Sequence, residues 1–478
     1  MTPHVTYAAL RQELDAGTHT CRQVVEQYLA RIEAHRHLNA FVAVYADEAR
    51  QRADAVDARL RAGAAGPLAG MVVGLKDMLC QAGHGVQAGS RILEGFQAQF
   101  NATAVQRLLD ADAIVIGRQN CDEFGMGSSN EFSAFGPVRN AADPERVPGG
   151  SSGGSAVAVQ AGLCHASLGT DTGGSVRQPA AFCGVVGLKP TYGRVSRWGL
   201  LAYASSFDTI GPITRSVEDA ALLLRVIAGP DDYDSTVSSR EVPDYPQHLR
   251  LDGPLRIGYL RESVESEGVD EPVRQALLRK IDQLQTQGHT VEPVEFPLLS
   301  HLLPTYYILT AAEVSTNLAR YDGVRYGHRS PDASDLTDLY KRSRTEGFGA
   351  EARRRILLGT FVLSASYYDA YYTKAQRVRR LVKEATEALL QDYDLLLGPT
   401  TPSTAFRFGE KSADPLQLFL GDVFTVQANV TGLPALSVPA GTDADGLPIG
   451  LQLLGPAFGE ARLLAAGCAI TEPSFIAT

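Results

Sequence analysis

Two glycine-serine loops dominate the middle of the sequence: Pro148-Gly-Gly-Ser-Ser-Gly-Gly-Ser155 and Gly169-Thr-Asp-Thr-Gly-Gly-Ser-Val-Arg-Gln-Pro179. An apolar segment that ends in a lysine precedes them, Gly70-Met-Val-Val-Gly-Leu-Lys-Asp77. Closely spaced glycines let a backbone approach a ligand and point its N–H groups inward. A serine beside such glycines is placed to attack a substrate, with an oxyanion hole supplied by its own loop. The sequence therefore predicts a serine nucleophile in one of these loops.

The positions of the histidines argue against a Ser-His-Asp triad. Gly149-Gly-Ser-Ser-Gly153 fits the G-x-S-x-G elbow of α/β-hydrolases, which needs an acid and then a histidine further along the chain. The ten histidines end at His328, so none lies in the last 150 residues. No G-K-[ST] follows the glycines either, which argues against a phosphate-binding loop. A pair of ordinary tight turns is the alternative to a catalytic site.

Lys76 can replace the missing histidine. A lysine ammonium, with a reference pKa of about 10.4, cannot accept a proton. Burial at the end of an apolar strand disfavours the charged form and lowers the pKa, which leaves a neutral amine. Val72, Val73 and Leu75 indicate that this strand is buried. An exposed, solvated lysine is the alternative.

The sequence around the loops predicts an α/β fold. Short apolar runs alternate with helical stretches, and the runs are residues 71–75, 113–116, 166–168, 255–260, 395–397 and 435–438. Such alternation is typical of a mostly parallel or mixed sheet with helices on both faces. The clearest unit is a βαβ crossover from strand 255–260 through helix 271–287 to strand 290–296.

The first 65 residues predict a helical segment, followed by one main domain over residues 66–478. Thr20 and Gln23 fit a capping box at the start of an amphipathic helix, and a second helix is expected from about Asp47 to Gly63. A stretch rich in Asp, Ser and Pro, residues 229–253, predicts a surface linker within the main domain.

Composition excludes several classes of protein. A net charge of -10 and a pI of about 5.5 argue against direct binding of a phosphate backbone. Six scattered cysteines without a C-x-x-C pair indicate neither a zinc site nor a disulfide framework, and they fit a reducing cytosol. No run approaches 18 apolar residues and no signal peptide is visible. We expect a cytoplasmic protein with no metal site and no membrane contact.

Lys76, Ser151 and Ser175, spaced 75 and 24 residues apart, together with the stretch up to Lys189, resemble the amidase signature family. Other stretches resemble, within that family, the glutamine-hydrolysing subunits of tRNA-dependent amidotransferases; they are residues 126–131, 133–140, 317–327, 346–349 and 367–372. The resemblance covers nearly the whole chain. It implies the amidase signature fold, a large central mixed β-sheet covered by α-helices on both faces.

The resemblance also implies a Ser–cis-Ser–Lys triad. Ser175 would attack the substrate, Ser151 would relay its proton after a cis Gly150–Ser151 peptide bond, and Lys76 would be the final base. The oxyanion hole would consist of the backbone N–H groups of Thr172, Gly173, Gly174 and Ser175. Two residues would brace the loops, Ser155 and Arg177.

A pocket for free glutamine has to hold an α-ammonium and an α-carboxylate, so it needs one anion and one fixed cation fork. The resemblance gives these roles to Asp422 and Arg355, with Tyr306 packing nearby. The run Arg353-Arg-Arg355 leaves a one-residue ambiguity. Phe132 departs from the family pattern, since a polar residue is expected there at the pocket mouth.

The implied activity is hydrolysis of the glutamine side-chain amide through a γ-glutamyl ester. The ammonia would pass to a partner subunit that uses ATP and Mg to amidate misacylated tRNA(Gln) or tRNA(Asn). Two other subunits would complete a heterotrimer, the tRNA would be bound through the partner, and this chain would need no cofactor. The alternatives are a free-standing amidase for small or aryl amides and a catalytically idle scaffold.

Overall fold

One mixed β-sheet runs through the computed structural model, which describes residues 6–411 and 414–471. Its strands in the described residues are β1 (Phe41–Val44), β2 (Val72–Lys76), β3 (Ile114–Gln119), β4 (Ala166–Asp171), β5 (Val186–Lys189), β6 (Thr209–Thr214), β7 (Arg256–Leu260), β8 (Thr290–Val294), β9 (Leu395–Pro399), β10 (Ala435–Thr442) and β11 (Pro448–Leu454). Their spatial order is β1-β3-β2-β4-β6-β5-β10-β11-β9-β7-β8. The predicted α/β class and mixed central sheet are confirmed.

Parallel pairing occurs at two places in this sheet. Strand β2 lies parallel to both β3 and β4, and β7 lies parallel to both β8 and β9, while the remaining neighbours are antiparallel. Parallel strands end at the same edge of a sheet, so Lys76 at the end of β2 comes close to the end of β4. This pairing brings the lysine to the second glycine-serine loop.

Helices cover the sheet. In the described residues they are α1 (Tyr7–Asp15), α2 (Cys21–Ala34), α3 (Ala46–Arg61), α4 (Thr103–Asp110), α5 (Gly153–Gln160), α6 (Arg177–Phe182), α7 (Val217–Ile227), α8 (Glu262–Glu265), α9 (Glu271–Thr286), α10 (Leu299–Asn317), α11 (Leu336–Gly347), α12 (Ala350–Val362), α13 (Lys374–Asp392), α14 (Pro415–Leu420), α15 (Val426–Thr431) and α16 (Glu460–Ile470). The predicted βαβ crossover is present as β7, α9 and β8. No helix in the described ranges is long and apolar enough to cross a membrane.

The N-terminal prediction is right about the helices and wrong about one strand. The capping box forms at α2, where the Thr20 hydroxyl accepts from the Gln23 N–H and the Gln23 side chain accepts from the Thr20 N–H. Residues 41–44, however, form β1, which pairs antiparallel with β3 at the edge of the sheet. The N-terminal segment therefore contributes one edge strand to the central sheet. Residues 1–5 of the predicted segment lie outside the described residues.

The predicted surface linker is well anchored to the fold. Across residues 229–253, all of them described, the only regular element is a short 3-10 helix, Tyr245–His248. Tyr245 is completely buried, and the Arg194 guanidinium donates to the backbone carbonyls of Arg240 and Glu241. These contacts hold the stretch against the rest of the fold.

Candidate active site

Lys76 lies at the centre of three hydroxyl groups. Its Nζ atom is 2.7 Å from Ser151 Oγ, 2.9 Å from Ser152 Oγ and 2.8 Å from Thr170 Oγ1. Its side chain is fully enclosed, with 0% exposure. Strand β2 places it there because all five of its residues are buried and its parallel neighbour β4 carries Thr170. The structure therefore joins Lys76 to the first glycine-serine loop, as the sequence predicts.

Burial controls the charge of Lys76. Loss of solvent lowers the pKa of the Lys76 amine to about 8. The carboxylates of Asp122, Asp171 and Asp208 oppose this shift, but none of them makes an ion pair with the amine in the described residues. A lysine that has no carboxylate partner, and whose pKa lies this close to neutral pH, can either hold or release a proton there.

Ser175 lies beside this cluster and is the triad residue with access to solvent. It is 8% exposed, whereas Ser151 and Lys76 are completely buried. The Ser152 N–H donates to the Ser175 carbonyl at 3.2 Å, which fastens the two loops together. Among the described residues no hydrogen bond joins the Ser175 and Ser151 hydroxyls. The Gly150–Ser151 peptide bond is cis.

Asp171 and Arg177 hold the loop of Ser175 in place. The Asp171 carboxylate accepts from the backbone N–H groups of Gly174 and Val176 and from the Arg177 guanidinium, whose Nε is 3.0 Å away. Burial alone would raise the pKa of Asp171, but Arg177 beside it holds the pKa at about 2. Arg177 also donates to Asn429 of α15 and to Gln452 of β11. It thus ties the nucleophile loop to the opposite side of the site.

The other predicted brace, Ser155, makes no side-chain hydrogen bond to either loop in the described part of the chain. Its buried hydroxyl has no hydrogen-bond partner among the described residues. Asp122, which the sequence reasoning missed, contacts the first loop through its backbone N–H, which donates to the Ser151 carbonyl at 3.2 Å. Its carboxylate accepts from the N–H groups of Asn130 and Phe132, and a Cβ atom at Gly150 would lie only 2.1 Å from it. Burial raises the pKa of Asp122 to about 7.

The four predicted oxyanion donors differ from one another. The Gly174 N–H is engaged with Asp171 Oδ1 at 2.9 Å. The N–H groups of Thr172, Gly173 and Ser175 make no hydrogen bond to another described residue. A developing negative charge near Ser175 would therefore meet three of the four predicted donors.

Glycine is required at two of these positions. A Cβ atom at Gly173 would lie 2.3 Å from the hydroxyl of Tyr306, and Gly174 adopts a φ of +126° against Thr425. The predicted pocket residue Tyr306 is thus in direct contact with the loop. Its ring is buried, and burial raises its pKa well above the ordinary value for tyrosine.

Asp422, the anion of the predicted pocket, lies next to this loop, because Thr425 bonds to the carbonyls of both Gly173 and Asp422. It is nearly buried and accepts hydrogen bonds from the Ser128 hydroxyl at 2.9 and 3.0 Å and from the Tyr307 hydroxyl at 2.7 Å. Burial raises the pKa of the Asp422 carboxyl to about 6. Ser128 and Tyr307 were missed as pocket residues. A buried carboxylate with two neutral donors and no cation in contact is well suited to bind an ammonium group.

Arg355 is the buried member of the arginine run. Arg353 is exposed and Arg354 is half-buried, whereas Arg355 is 7% exposed. Its Nε is 2.6 Å from Glu351 Oε1, and its Nη1 donates to the Tyr203 hydroxyl at 2.6 Å. Its guanidinium carbon lies 5.4 Å from the centre of the Tyr307 ring. Asp422 and Arg355 therefore contact the same tyrosine.

Phe132 packs against an apolar cluster of Val147, Phe182, Ala405, Phe406 and Leu418. Phe419, which stacks on Tyr307, belongs to the same cluster. The Phe132 backbone N–H donates to the Asp122 carboxylate.

The site combines the groups needed for acyl transfer. It has a serine with solvent access, a buried lysine whose pKa is lowered to about 8, backbone N–H groups beside the serine, and one fixed charge of each sign nearby, on Asp422 and Arg355. The described residues contain no cluster of three or more His, Cys, Asp or Glu side chains that could hold a metal ion.

The sequence matches the amidase family over residues 23–464, and the chain belongs to that family. It is 51% identical to a glutamyl-tRNA(Gln) amidotransferase subunit from Salinibacter ruber, over 98% of this chain and 99% of the relative. It is 53% identical to the corresponding subunit from Halorhodospira halophila, over 97% and 96%. The crystal structure of the same subunit from Thermotoga maritima superimposes with a TM-score of 0.77 at 40% identity, over 93% of this chain and 90% of that one.

Proposed function

We propose that this chain is the glutamine-hydrolysing subunit of a glutamyl-tRNA(Gln) amidotransferase. The observation that carries the proposal is the pairing of a buried carboxylate, Asp422, with a buried guanidinium, Arg355, beside the serine-lysine centre. A free amino acid is a zwitterion and needs both charges at once. The two relatives and the Thermotoga protein carry the name of this enzyme and align along nearly the whole chain, which supports the same function.

The proposed reaction is acyl transfer in two halves. Ser175 Oγ attacks the side-chain amide carbon of glutamine, and its proton passes through Ser151 to Lys76. The N–H groups beside Ser175 stabilise the oxyanion, and the proton returned from Lys76 leaves with ammonia. Water then attacks the γ-glutamyl ester and releases glutamate. Asp422 and Arg355 hold the α-ammonium and α-carboxylate throughout.

In this proposal the ammonia is used by a partner subunit. A partner subunit, using ATP and Mg, activates the misacylated tRNA, and a third subunit completes the heterotrimer. The tRNA reaches the complex through the partner, because this chain has a net charge of -10 and offers little counterion release to a polyanion. The chain's own chemistry uses no cofactor. Since the product serves translation, we place the enzyme in the cytoplasm.

Selectivity for glutamine is expected to depend on Asp422 and Arg355. Truncating one partner of a buried charge pair costs roughly 2–5 kcal/mol, so Asp422→Ala and Arg355→Ala should each lower kcat/KM for glutamine by about 30-fold or more. Butyramide, a small uncharged amide, should lose much less, because it has no charge for either residue to bind. Steady-state kinetics with both substrates measure the difference.

The neighbouring arginine provides a matched control. Arg353→Ala removes the same side chain from the exposed side of α12 and should leave both activities at the wild-type level. If Asp422→Ala and Arg355→Ala lower the two activities equally, the residues are structural and a free-standing amidase becomes the better description.

Coupling to the partner is expected to appear as regulated glutamate release. The chain purified alone should hydrolyse glutamine slowly, and the rate should rise when the partner subunits, ATP and misacylated tRNA are all present. The comparison requires glutamate release measured for the chain alone and for the co-expressed complex. High turnover by the chain alone that the partners leave unchanged would indicate a free-standing amidase.

A further inference from the structure

Two hydrogen-bonded paths connect the charge-binding residues of the pocket to the oxyanion loop, residues 172–175. The first path begins at Arg355, whose Nη1 donates to the Tyr203 hydroxyl at 2.6 Å. The backbone N–H of Tyr203 donates to Asp208 Oδ2 at 3.0 Å. Asp208 Oδ1 in turn accepts from the Thr172 hydroxyl at 2.6 Å. Arg355, Tyr203, Asp208 and Thr172 are all nearly or fully buried.

The second path begins at Asp422 on the opposite side of the pocket. The Asp422 backbone carbonyl accepts from both the N–H and the hydroxyl of Thr425, each at 3.1 Å. The same Thr425 hydroxyl lies 2.7 Å from the carbonyl oxygen of Gly173. Thr425 is completely buried and sits directly against Gly174. The two paths therefore end on neighbouring residues of one loop, Thr172 and Gly173.

We infer that Asp208 and Thr425 are positioning residues that couple recognition of the substrate's two charges to the geometry of the oxyanion loop. The inference rests on the proposed function, because only a zwitterionic substrate engages Arg355 and Asp422 together. When glutamine binds, its α-carboxylate contacts Arg355 and its α-ammonium contacts Asp422. Both paths are then fixed at their outer ends, and the loop is held at Thr172 and at Gly173. An uncharged amide engages neither path. Selectivity for glutamine therefore enters the chemical step as well as binding.

The burial of Asp208 fits this role. Its carboxylate accepts from the backbone N–H groups of Tyr203 and Ala204 and from the Thr172 hydroxyl, and no cation is in contact with it among the described residues. Burial raises the pKa of Asp208 to about 6. A carboxylate that accepts hydrogen bonds only from neutral donors is fixed by short, directional bonds, so a displacement of one partner shifts the others. Small displacements matter here, since a shift of about 1 Å in a reacting geometry can cost about 100-fold in rate.

A double-mutant cycle tests the first path. Tyr203→Phe removes the acceptor of Arg355 at one end, and Thr172→Val removes the donor to Asp208 at the other. On glutamine we expect each variant to lower kcat about tenfold and the double variant to lower it about tenfold as well, because residues in one network are not additive. On butyramide we expect Tyr203→Phe to have no effect and the double variant to match Thr172→Val. The kinetics are measured on the chain co-expressed with its partner subunits.

Conservative and neighbouring variants separate positioning from folding. Thr425→Val should lower kcat for glutamine about tenfold, and Thr425→Ser, which keeps the hydroxyl, should restore it. Tyr192→Phe is the matched control. The Tyr192 hydroxyl donates to the backbone carbonyl of Ser205, two residues after Tyr203, but it lies outside both paths. Should Thr172→Val fail to fold, Asp208→Asn takes its place in the cycle.

The outcomes distinguish this inference from the proposed function. Non-additive losses on glutamine together with additive behaviour on butyramide support the coupling. Losses on glutamine that multiply to about 100-fold, or equal losses on both substrates, would overturn the coupling and leave the proposed function intact. A wild-type complex that hydrolyses butyramide and not glutamine would overturn both.

Discussion

Replacing Ser175 with Ala is expected to abolish the acyl-enzyme and to lower glutamine hydrolysis by roughly 10⁴-fold or more, as loss of a nucleophile does elsewhere. Ser151→Ala should leave weak turnover, because the attacking oxygen is still present and only the relay to Lys76 is lost. The measurement is intact-mass spectrometry after rapid quenching with glutamine, combined with glutamate release. Wild-type protein should carry a γ-glutamyl group on Ser175.

A neighbouring buried serine provides a matched control for Ser175→Ala. Ser155→Ala removes a buried hydroxyl from the same glycine-rich segment, but that hydroxyl has no hydrogen-bond partner among the described residues. Its activity should stay near the wild-type level. A γ-glutamyl ester found on Ser151 in the intact protein would reverse the assignment of nucleophile and relay.

The strands that the sequence predicted, β2, β3, β4, β7, β8, β9 and β10, carry short apolar runs or, for β8, belong to the βαβ unit. β5, β6 and β11 were missed; each contains a glycine, and β6 and β11 also contain a proline, in Thr209-Ile-Gly-Pro-Ile-Thr214 and Pro448-Ile-Gly-Leu-Gln-Leu-Leu454. Local rules interpret these residues as turn signals. β1 was missed because its four residues lie between helices and contact the sheet only through β3. Their strand conformation depends on neighbours distant in sequence, which local patterns do not reveal.

The contact of Lys76 with Ser151 could be predicted because both residues lie in local motifs with a chemical signature. The anchoring carboxylates could not, because Asp122, Asp171 and Asp208 resemble ordinary loop aspartates until the fold buries them against backbone N–H groups. The sequence also could not decide between two consecutive tyrosines near Asp422. Tyr306 and Tyr307 are consecutive on α10, and the helix directs one toward Gly173 and the other toward Asp422. Only the packing of the helix determines which tyrosine reaches which partner.

Lys76 is expected to act as a neutral base, and its loss should be the second large effect. A positioned base contributes about 10²–10⁴-fold, so Lys76→Met, which keeps the buried stem and removes the amine, should lower kcat/KM for glutamine by that amount. Lys76→Arg should be no better, because a guanidinium does not deprotonate in proteins. Steady-state kinetics of the three proteins, with thermal unfolding to confirm folding, provide the comparison. A fully active arginine variant would contradict the assignment.

The pH dependence follows from the same amine. Burial lowers the pKa of Lys76 to about 8, and the group must be neutral to accept a proton. Above pH 8 the base is available, and below it the ammonium dominates, so kcat/KM for glutamine should fall about tenfold per pH unit on the acidic side. The residual activity of Lys76→Met should lack this limb near pH 8, since its side chain has no proton to gain, and should fall only near pH 6, where the Asp422 carboxylate becomes protonated. A limb that persists near pH 8 in Lys76→Met would come from another group, and the amine bound to Ser151, Ser152 and Thr170 would then be a structural donor in place of the base.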